Sequence, residues 1–267
     1  MKIRYLLYRT TMLVVAFLAY TLSTFAQELL IDGICYRLQD SKALIVRSTS
    51  TAKRIRIPAY VIYGQQEYPV TEVLDNAFED SKCAHISLPN NIKKIGEEAF
   101  CDAEIKSIHL PKSLKQIGRG AFSGCSNLRC IILPDSIISI EKCTFQMVPN
   151  LKKVKLPKQL QYIGDYAFDD CKNLKKIKFN KSLKKIGAEA FCGCDLLKSI
   201  YIPDSVIAFN LPPFVHGSNS KISISKIMVS KRNRYLDSRN NCNAVINTYN
   251  NELILGCKNT IIPNTVR

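Results

Sequence analysis

A phenylalanine returns along this 267-residue chain at an almost constant spacing. Its positions, each 22 or 23 residues after the last, are Phe78, Phe100, Phe122, Phe145, Phe168, Phe191 and, in a degraded copy, Phe214. Prolines keep the same spacing at Pro89, Pro111, Pro134, Pro157 and Pro203, with Asn180 where one proline is missing. A period of about 20 to 30 residues predicts a solenoid, in which each copy is one turn that cannot bury its apolar face alone.

Apolar residues within each copy fall at positions i, i+3 and i+5, as in Leu128, Ile131 and Leu133. The last two alternate with an outward residue, which predicts a short strand that the proline ends. A second short strand follows, in which residues such as Leu183 and Ile186 face inward. We expect the chain to turn at the glycine that comes next, before an Ala-Phe pair fills the core. These glycines are Gly96, Gly118, Gly164 and Gly187.

The i, i+3, i+5 spacing is the leucine-rich repeat pattern. The whole phrase, IGxxAFxGCxxLxxIxLPxSLxxI, closely resembles the BspA-like leucine-rich repeats of bacterial and protozoan surface proteins, and the resemblance covers about 30–267. The slot after the strand is mostly serine, whereas an ordinary leucine-rich repeat has asparagine there. The resemblance and the repeat together predict a β-rich right-handed leucine-rich-repeat solenoid of about seven turns, with short parallel strands and β-hairpin caps.

Residues 1–26 have the pattern of a secretory signal peptide, with a basic start, an apolar run from about Met12 to Leu22, and small residues leading to Ala26. The alternative, a membrane anchor, needs about 20 apolar residues, and this run is shorter. No cysteine follows the cleavage point, which disfavours a lipid anchor there. We therefore expect a secreted or cell-surface protein whose mature chain, from Gln27, has no membrane span.

The remaining chain divides into three expected parts. Residues 27–54 alternate apolar and polar side chains and predict an N-terminal β cap, which a solenoid needs to cover its open end. Residues 55–216 carry the repeats, and 55–78 resembles the family's first repeat with an inserted hairpin. Residues 217–267 comprise an irregular segment, over 217–240, and a hairpin-bearing repeat like that of Bacteroides-type members. That hairpin is either the C-terminal cap or the mark of a shortened family member.

The eleven cysteines are odd in number, so at least one is unpaired or pairs between chains. Cys125, Cys171 and Cys194 occupy one slot of the repeat, which Val148 fills in the copy between the first two. A slot that accepts valine predicts buried thiols that act as small apolar groups. The best candidates for a disulfide are Cys242 and Cys257, which flank the terminal hairpin. Cys192-Gly-Cys194 is a weak metal signal, and we predict no metal site.

Catalytic motifs are missing from the sequence. None of His85, His109 and His216 lies in an HExxH motif, and the chain has no GxSxG, P-loop or Rossmann glycine pattern. The carboxylates near the phenylalanine are spread over different turns, so a hydrolase pair has no support. We therefore expect no enzyme activity, no catalytic residues and no cofactor.

Stacking the first strands predicts two outward columns on one face. They read Ser87, His109, Ile132, Lys155, Lys178, Tyr201 and His85, Ser107, Cys130, Lys153, Lys176, Ser199. The columns place four lysines in a two-by-two block, where like charges on adjacent turns oppose pairing modestly. This face is either a binding surface or a solvated lysine face that keeps the solenoid soluble. The candidate contact residues are Lys153, Lys155, Lys176, Lys178, Tyr201 and Ile132.

The formal net charge is +16, and removing the three basic residues of 1–26 leaves 16 − 3 = +13. Such a charge favours acidic partners or polyanions. The resemblance to BspA-like proteins implies adhesion, meaning contact with matrix or cell-surface proteins of a host or with other microbes. The alternative hypothesis is polyanion binding, to an acidic glycan or nucleic acid. A secreted enzyme and a periplasmic scaffold are further alternatives, and no residue pattern supports either.

Overall fold

The computed structural model describes residues 27–209, 213–214 and 223–266, so the predicted signal peptide and His216 lie outside the described residues. These residues form stacked coils of short parallel strands, about eight turns in all. The only helix in the described ranges is a single 3-10 turn at Arg239–Asn241. The predicted leucine-rich-repeat solenoid is confirmed. A first strand that follows Phe214 supplies a turn beyond the seven predicted.

An antiparallel sheet covers the N-terminal end of the stack. The first six strands are β1 (Gln27–Ile31), β2 (Ile34–Gln39), β3 (Lys42–Ser48), β4 (Arg54–Arg56), β5 (Tyr60–Tyr63) and β6 (Gln66–Val73). Strands β1, β2 and β3 pair antiparallel, and β3 then pairs parallel with β6, which joins this sheet to the solenoid. Strands β5 and β6 form the inserted hairpin.

Each turn of the stack contributes a first strand and a second strand. The strands that follow are β7 (His85–Ser87), β8 (Lys94–Ile95), β9 (Ser107–His109), β10 (Gln116–Ile117), β11 (Cys130–Ile132), β12 (Ser139–Ile140), β13 (Lys153–Lys155), β14 (Tyr162–Ile163), β15 (Lys185–Ile186), β16 (Ser199–Ile202), β17 (Ala208–Phe209), β18 (Lys226–Val229), β19 (Leu236–Asp237), β20 (Val245–Asn247) and β21 (Leu253–Leu255). First strands pair with first strands of neighbouring turns, except that β9 and β11 do not pair, and second strands pair with second strands. Strands β19, β20 and β21 pair antiparallel at the C-terminal end.

The repeated phenylalanines form one column through the core. Neighbouring rings from Phe78 to Phe214 stack with their centroids 5.1–5.5 Å apart, and every ring is buried. Offset aromatic stacking at this distance adds to the free energy of area burial. The serine slot also links neighbouring turns, since Ser113 Oγ donates a hydrogen bond to the carbonyl oxygen of Ile92 one turn back at 2.7 Å. The distance between neighbouring phenylalanine rings is therefore set by the separation of one turn from the next.

The regular spacing of glycines has a different cause from the one predicted. Gly96, Gly118, Gly164 and Gly187 do not have positive φ, so they are not the residues at which the chain must turn. A Cβ at Gly118 would lie 2.6 Å from Glu97 N and 2.6 Å from the carbonyl carbon of Gly96, both in the preceding turn. Glycine is required there because two backbones approach closely.

One copy has Glu141 in this glycine slot, directly after β12, and β12 does not pair with β10 of the preceding turn. The described second strands consequently form two sheets, one ending at β10 and the other beginning at β12. A Cβ at position 141 explains the break, because closing the ladder would press it against the backbone of the turn before.

Residues 174–180 depart from the predicted first strand. Leu174 and Phe179 are buried as expected, but no strand forms there and the segment makes no ladder hydrogen bonds to β13 or β16. The inward slot of Phe179 holds leucine in four preceding turns, and the larger phenylalanine ring packs on Phe191 at 5.8 Å and a tilt of 55°. The extra volume of the Phe179 ring keeps this turn too far from β13 and β16 to pair with them. We call the resulting gap between β13 and 175–179 the open seam.

The segment 217–240, predicted to be irregular, contains regular structure in its described part. Strand β18 pairs parallel with β16 and continues the stack. Ile224, Ile227 and Val229 have the same i, i+3, i+5 spacing as every other turn. The pattern is displaced because Ile224 lies ten residues after Phe214, whereas the matching residue of the preceding copy lies six after its phenylalanine.

Candidate binding surface

The register of the first strands confirms the predicted outward columns wherever these strands pair. His85 lies opposite Ser107, and Ser87 opposite His109. Further along the stack, Cys130 faces Lys153, and Ile132 faces Lys155. The columns also extend beyond the predicted members, to Arg54 and Arg56 on β4 at one end and Lys226 and Met228 on β18 at the other. The spacing of Ile224, Ile227 and Val229 was the signal that could have found the last two.

Five of the six predicted contact residues line one cleft. This cleft, of about 750 Å³, lies along the open seam, and we call it the lysine cleft. Its predicted lining side chains are Ile132, Lys153, Lys155, Lys176 and Lys178. Ile132 is 64% exposed and faces Lys155, which leaves an aliphatic surface beside the charged groups. The columns predicted this grouping, but the cleft itself exists because 175–179 fails to pair.

The lysine cleft is strongly positive. None of its four predicted lysines forms a salt bridge with a carboxylate of the described residues. Asp135, beside Lys155 in a neighbouring depression, accepts a hydrogen bond from the backbone N–H of Lys158 at 3.0 Å and lies 3.4 Å from Lys158 Nζ. That backbone hydrogen bond, with the Lys158 and Lys155 charges, lowers the pKa of Asp135. The cleft therefore offers ammonium groups to an anionic partner without an internal counter-ion.

Tyr201, the sixth predicted residue, lies apart from the lysine cleft. It is on β16, opposite Met228 of β18, and its side chain is 51% exposed. Together with Lys226, Met228, Lys231, Ser238 and Asn241 it lines a second cleft of about 650 Å³. We call this the tyrosine cleft. The predicted surface is thus two clefts on successive turns of one face.

One histidine lies beside a hydroxyl group on the outer face of the stack. His85 Nδ1 and Ser107 Oγ lie 2.8 Å apart on the outer face, which is the geometry of a base and a hydroxyl. The strand on the far side of His85 presents Arg54, so the pair has an arginine where a triad has a carboxylate. Within the described ranges no three His, Cys, Asp or Glu side chains cluster as metal ligands would.

The cysteines are thiols in this structure. Cys242 and Cys257, the candidate pair for a disulfide, are both unpaired, and Cys257 Sγ donates to the carbonyl oxygen of Asn243. The predicted core role of Cys125, Cys171 and Cys194 is confirmed, because all three are buried and burial raises their pKa. Each donates to the carbonyl oxygen of the phenylalanine one turn back, at 3.0–3.2 Å.

A family model described as "BspA type Leucine rich repeat region" matches residues 71–196 and 139–253, with six copies of the repeat. The chain belongs to the BspA-type leucine-rich repeat family. No curated protein matches the sequence. Membership of this family indicates a protein-interaction role. No helix of the described residues is long and apolar enough to cross a bilayer.

Solved structures of bacterial leucine-rich repeat proteins share this fold. A leucine-rich cell surface protein from Faecalibacterium prausnitzii has a TM-score of 0.77 and 25% identity, over 91% of this chain and 66% of that one. The T. pallidum leucine-rich repeat protein gives 0.57 and 26%, over 76% and 86%. The pneumococcal vaccine antigen PcpA gives 0.55 and 21%, over 90% and 60%, a likeness of fold alone. The chain spans just under two thirds of the F. prausnitzii protein's length.

Proposed function

We propose that this BspA-type protein is exported and, at the cell surface or after release, binds an acidic region of a protein on a host or microbial surface. The observation that carries the proposal is the lysine cleft, where four lysines that form no salt bridge with a carboxylate of the described residues lie beside the exposed Ile132. Similarity to a protein described as a cell-surface protein supports the location. Export rests on the signal peptide pattern of 1–26, and a mature N-terminus at Gln27 by sequencing is the expected result.

The charges and the aliphatic surface contribute differently to such a contact. Exposed ion pairs contribute about 0–1 kcal/mol each and mainly raise the rate of association. Burying Ile132 under a partner contributes about 25 cal/mol per Å² of apolar area removed from water. Tyr201, one turn beyond Lys178, adds to the contact only for a partner long enough to span both clefts. The role is a binding one and needs no reaction chemistry.

The second candidate is an acidic glycan or a nucleic acid, and the excess of lysines over apolar side chains in the cleft favours it. A polyanion that neutralises these lysines releases its condensed counter-ions, so its affinity falls steeply as salt rises. A protein contact that also buries Ile132 loses less affinity with salt, because apolar burial is not screened.

Binding of residues 27–267 to an array of matrix proteins and acidic glycans, at low and at physiological salt, tests the proposal. Protein binding that persists at physiological salt supports the first candidate. Glycan or nucleic-acid binding that disappears with salt supports the second. No binding to any member at low salt contradicts both.

A further inference from the structure

The tyrosine cleft lies where the open strand face meets the C-terminal strands. Its floor is made of Tyr201 and Met228, which face each other in the parallel register of β16 and β18. Both side chains remain accessible, at 51% and 38% exposure. The far wall is the segment 238–243, between β19 and β20. The cleft therefore combines an aromatic and thioether floor with a wall of backbone and small polar side chains, and Lys226 and Lys231 complete its charged lining.

That wall is held in place by a charged pair outside the cleft. Arg239 Nη2 and Nε donate to the Asp237 carboxylate at 2.6 and 3.0 Å, and Arg239 Nη1 donates to Asn251 Oδ1 at 2.9 Å. Two parallel bonds between a guanidinium and a carboxylate fix geometry as well as energy. The Arg239 charge is thus neutralised by Asp237. The hydrogen bonds of Arg239 to Asp237 and to Asn251 fix the position of the segment that bears Ser238 and Asn241.

The polar groups left facing the cleft can both donate and accept hydrogen bonds. The Asn241 amide makes no hydrogen bond within the described residues, and the Ser238 hydroxyl has only a 3.8 Å contact with Cys242 Sγ. Amides and hydroxyls donate and accept, whereas lysine ammonium groups only donate. The side chains of the lysine cleft, by contrast, offer donors and apolar surface. The tyrosine cleft also has two lining lysines, Lys226 and Lys231, against six in the lysine cleft, but only the tyrosine cleft adds amide and hydroxyl acceptors.

We propose that the tyrosine cleft binds a neutral saccharide. A sugar ring has an apolar C–H face that can pack on Tyr201 and Met228 in the floor of the cleft. Its hydroxyl groups both donate and accept hydrogen bonds, as do the side chains of Asn241 and Ser238 in the wall. The volume of about 650 Å³ lies within the range of small-molecule sites, about 300–1,000 Å³. This site is separate from the lysine cleft and does not depend on the function proposed there.

Binding of residues 27–267 to a panel of neutral oligosaccharides, ending in glucose, galactose, mannose or N-acetylglucosamine, tests the proposal. At least one member of the panel should bind with little dependence on salt. Tyr201→Ala and Asn241→Ala should each weaken that binding at least tenfold, and Tyr201→Phe should keep most of it. Tyr249→Ala is the matched control, since Tyr249 is 96% exposed and lies outside the cleft.

Three results would overturn the proposal: no member of the panel binds, Tyr201→Ala binds like the wild type, or Tyr249→Ala loses as much affinity as Tyr201→Ala. Replacing Lys153 and Lys176 with Glu separates the two sites, because it should impair the lysine cleft and leave saccharide binding within about twofold. A far-ultraviolet spectrum and thermal unfolding of each variant identify any loss that comes from misfolding.

Discussion

A residue in this molecule is constrained most by its counterpart one turn away, because backbone stacks directly on backbone. Gly118 shows this constraint, since the atoms a Cβ would meet belong to Glu97 and Gly96 rather than to sequence neighbours. Cys125 shows it too, with its thiol hydrogen bonded to Phe100 O. The size and polarity that a side chain can have at each position are therefore limited by the backbone of the preceding turn.

Gly118→Ala should lower the free energy of unfolding by about 3 kcal/mol, because the added methyl group overlaps backbone that cannot move without breaking the ladder. Gly64→Ala is the control. Gly64 has a φ of +62° and a methyl group added there would meet nothing within 4 Å, so this change should cost only about 1 kcal/mol of left-handed strain. Urea unfolding of the two variants measures the difference. Equal losses would show that close approach is not the reason for glycine at position 118.

Thiol reactivity should separate one cysteine from the other ten. Cys130 is the exposed cysteine of the described residues. Cys101 and Cys143 are half-buried, and burial is the main cause of their raised pKa, to about 12 for Cys101. Since the thiolate is the reactive form, a disulfide reagent at pH 8 should label Cys130 quickly and the others slowly.

In Cys130→Ser the fast phase of labelling should disappear, and unfolding without reductant should release eleven reactive thiols in the wild type. Nine thiols would show that one pair is oxidised, and a fast phase that survives in Cys130→Ser would contradict the predicted exposure. The raised pKa of Cys101 also has a consequence for stability. The folded protein raises the pKa of Cys101 from the ordinary 9.0 to about 12. The stability linked to the protonated Cys101 thiol is therefore complete below pH 9 and is lost as the pH rises towards 12.

The elements of the solenoid pair only where the inward side chains let two turns approach. Two effects oppose pairing at 175–179, the volume of Phe179 and the like charges of Lys153, Lys155, Lys176 and Lys178. Overpacking costs about 1–3 kcal/mol. Charge interactions between exposed side chains contribute about 0–1 kcal/mol. We therefore assign the open seam mainly to the phenylalanine.

Phe179→Leu should close the open seam, because leucine fills this slot in other turns. Hydrogen exchange of the backbone amides at 175–179 should slow at least tenfold as the segment joins β13. The comparison variant is Lys176→Thr with Lys178→Thr, which removes two charges and keeps the ring, and its exchange should change by less than about threefold. Slower exchange in the threonine variant alone would assign the seam to charge repulsion instead.

Sequence periodicity predicted the elements that repeat and missed those that depend on exact volume. The columns of outward residues follow from strand alternation, so Ile132 and the lysines could be grouped without a structure. Neither the open seam nor the break at Glu141 could be predicted, because both come from a misfit of a few ångströms between turns. Strand β18 was missed because extra residues shift its spacing after Phe214.

The whole molecule presents one strand face with two clefts of different chemistry. The excess positive charge of the chain, +16 in total, draws acidic partners to any part of the surface. The lysine cleft differs from the rest because it groups these lysines with the exposed Ile132 in one concave site. Specific binding must therefore depend on these positions, whereas steering by net charge must not.

The most direct test compares two variants with the same change in net charge, using the array of matrix proteins and acidic glycans. One replaces Lys153, Lys155, Lys176 and Lys178 with Glu, and the control replaces four exposed lysines elsewhere, Lys42, Lys93, Lys115 and Lys258. The expected result is at least a tenfold loss of affinity in the cleft variant and less than about a threefold loss in the control. Equal affinities in the two variants would contradict a specific role for the lysine cleft.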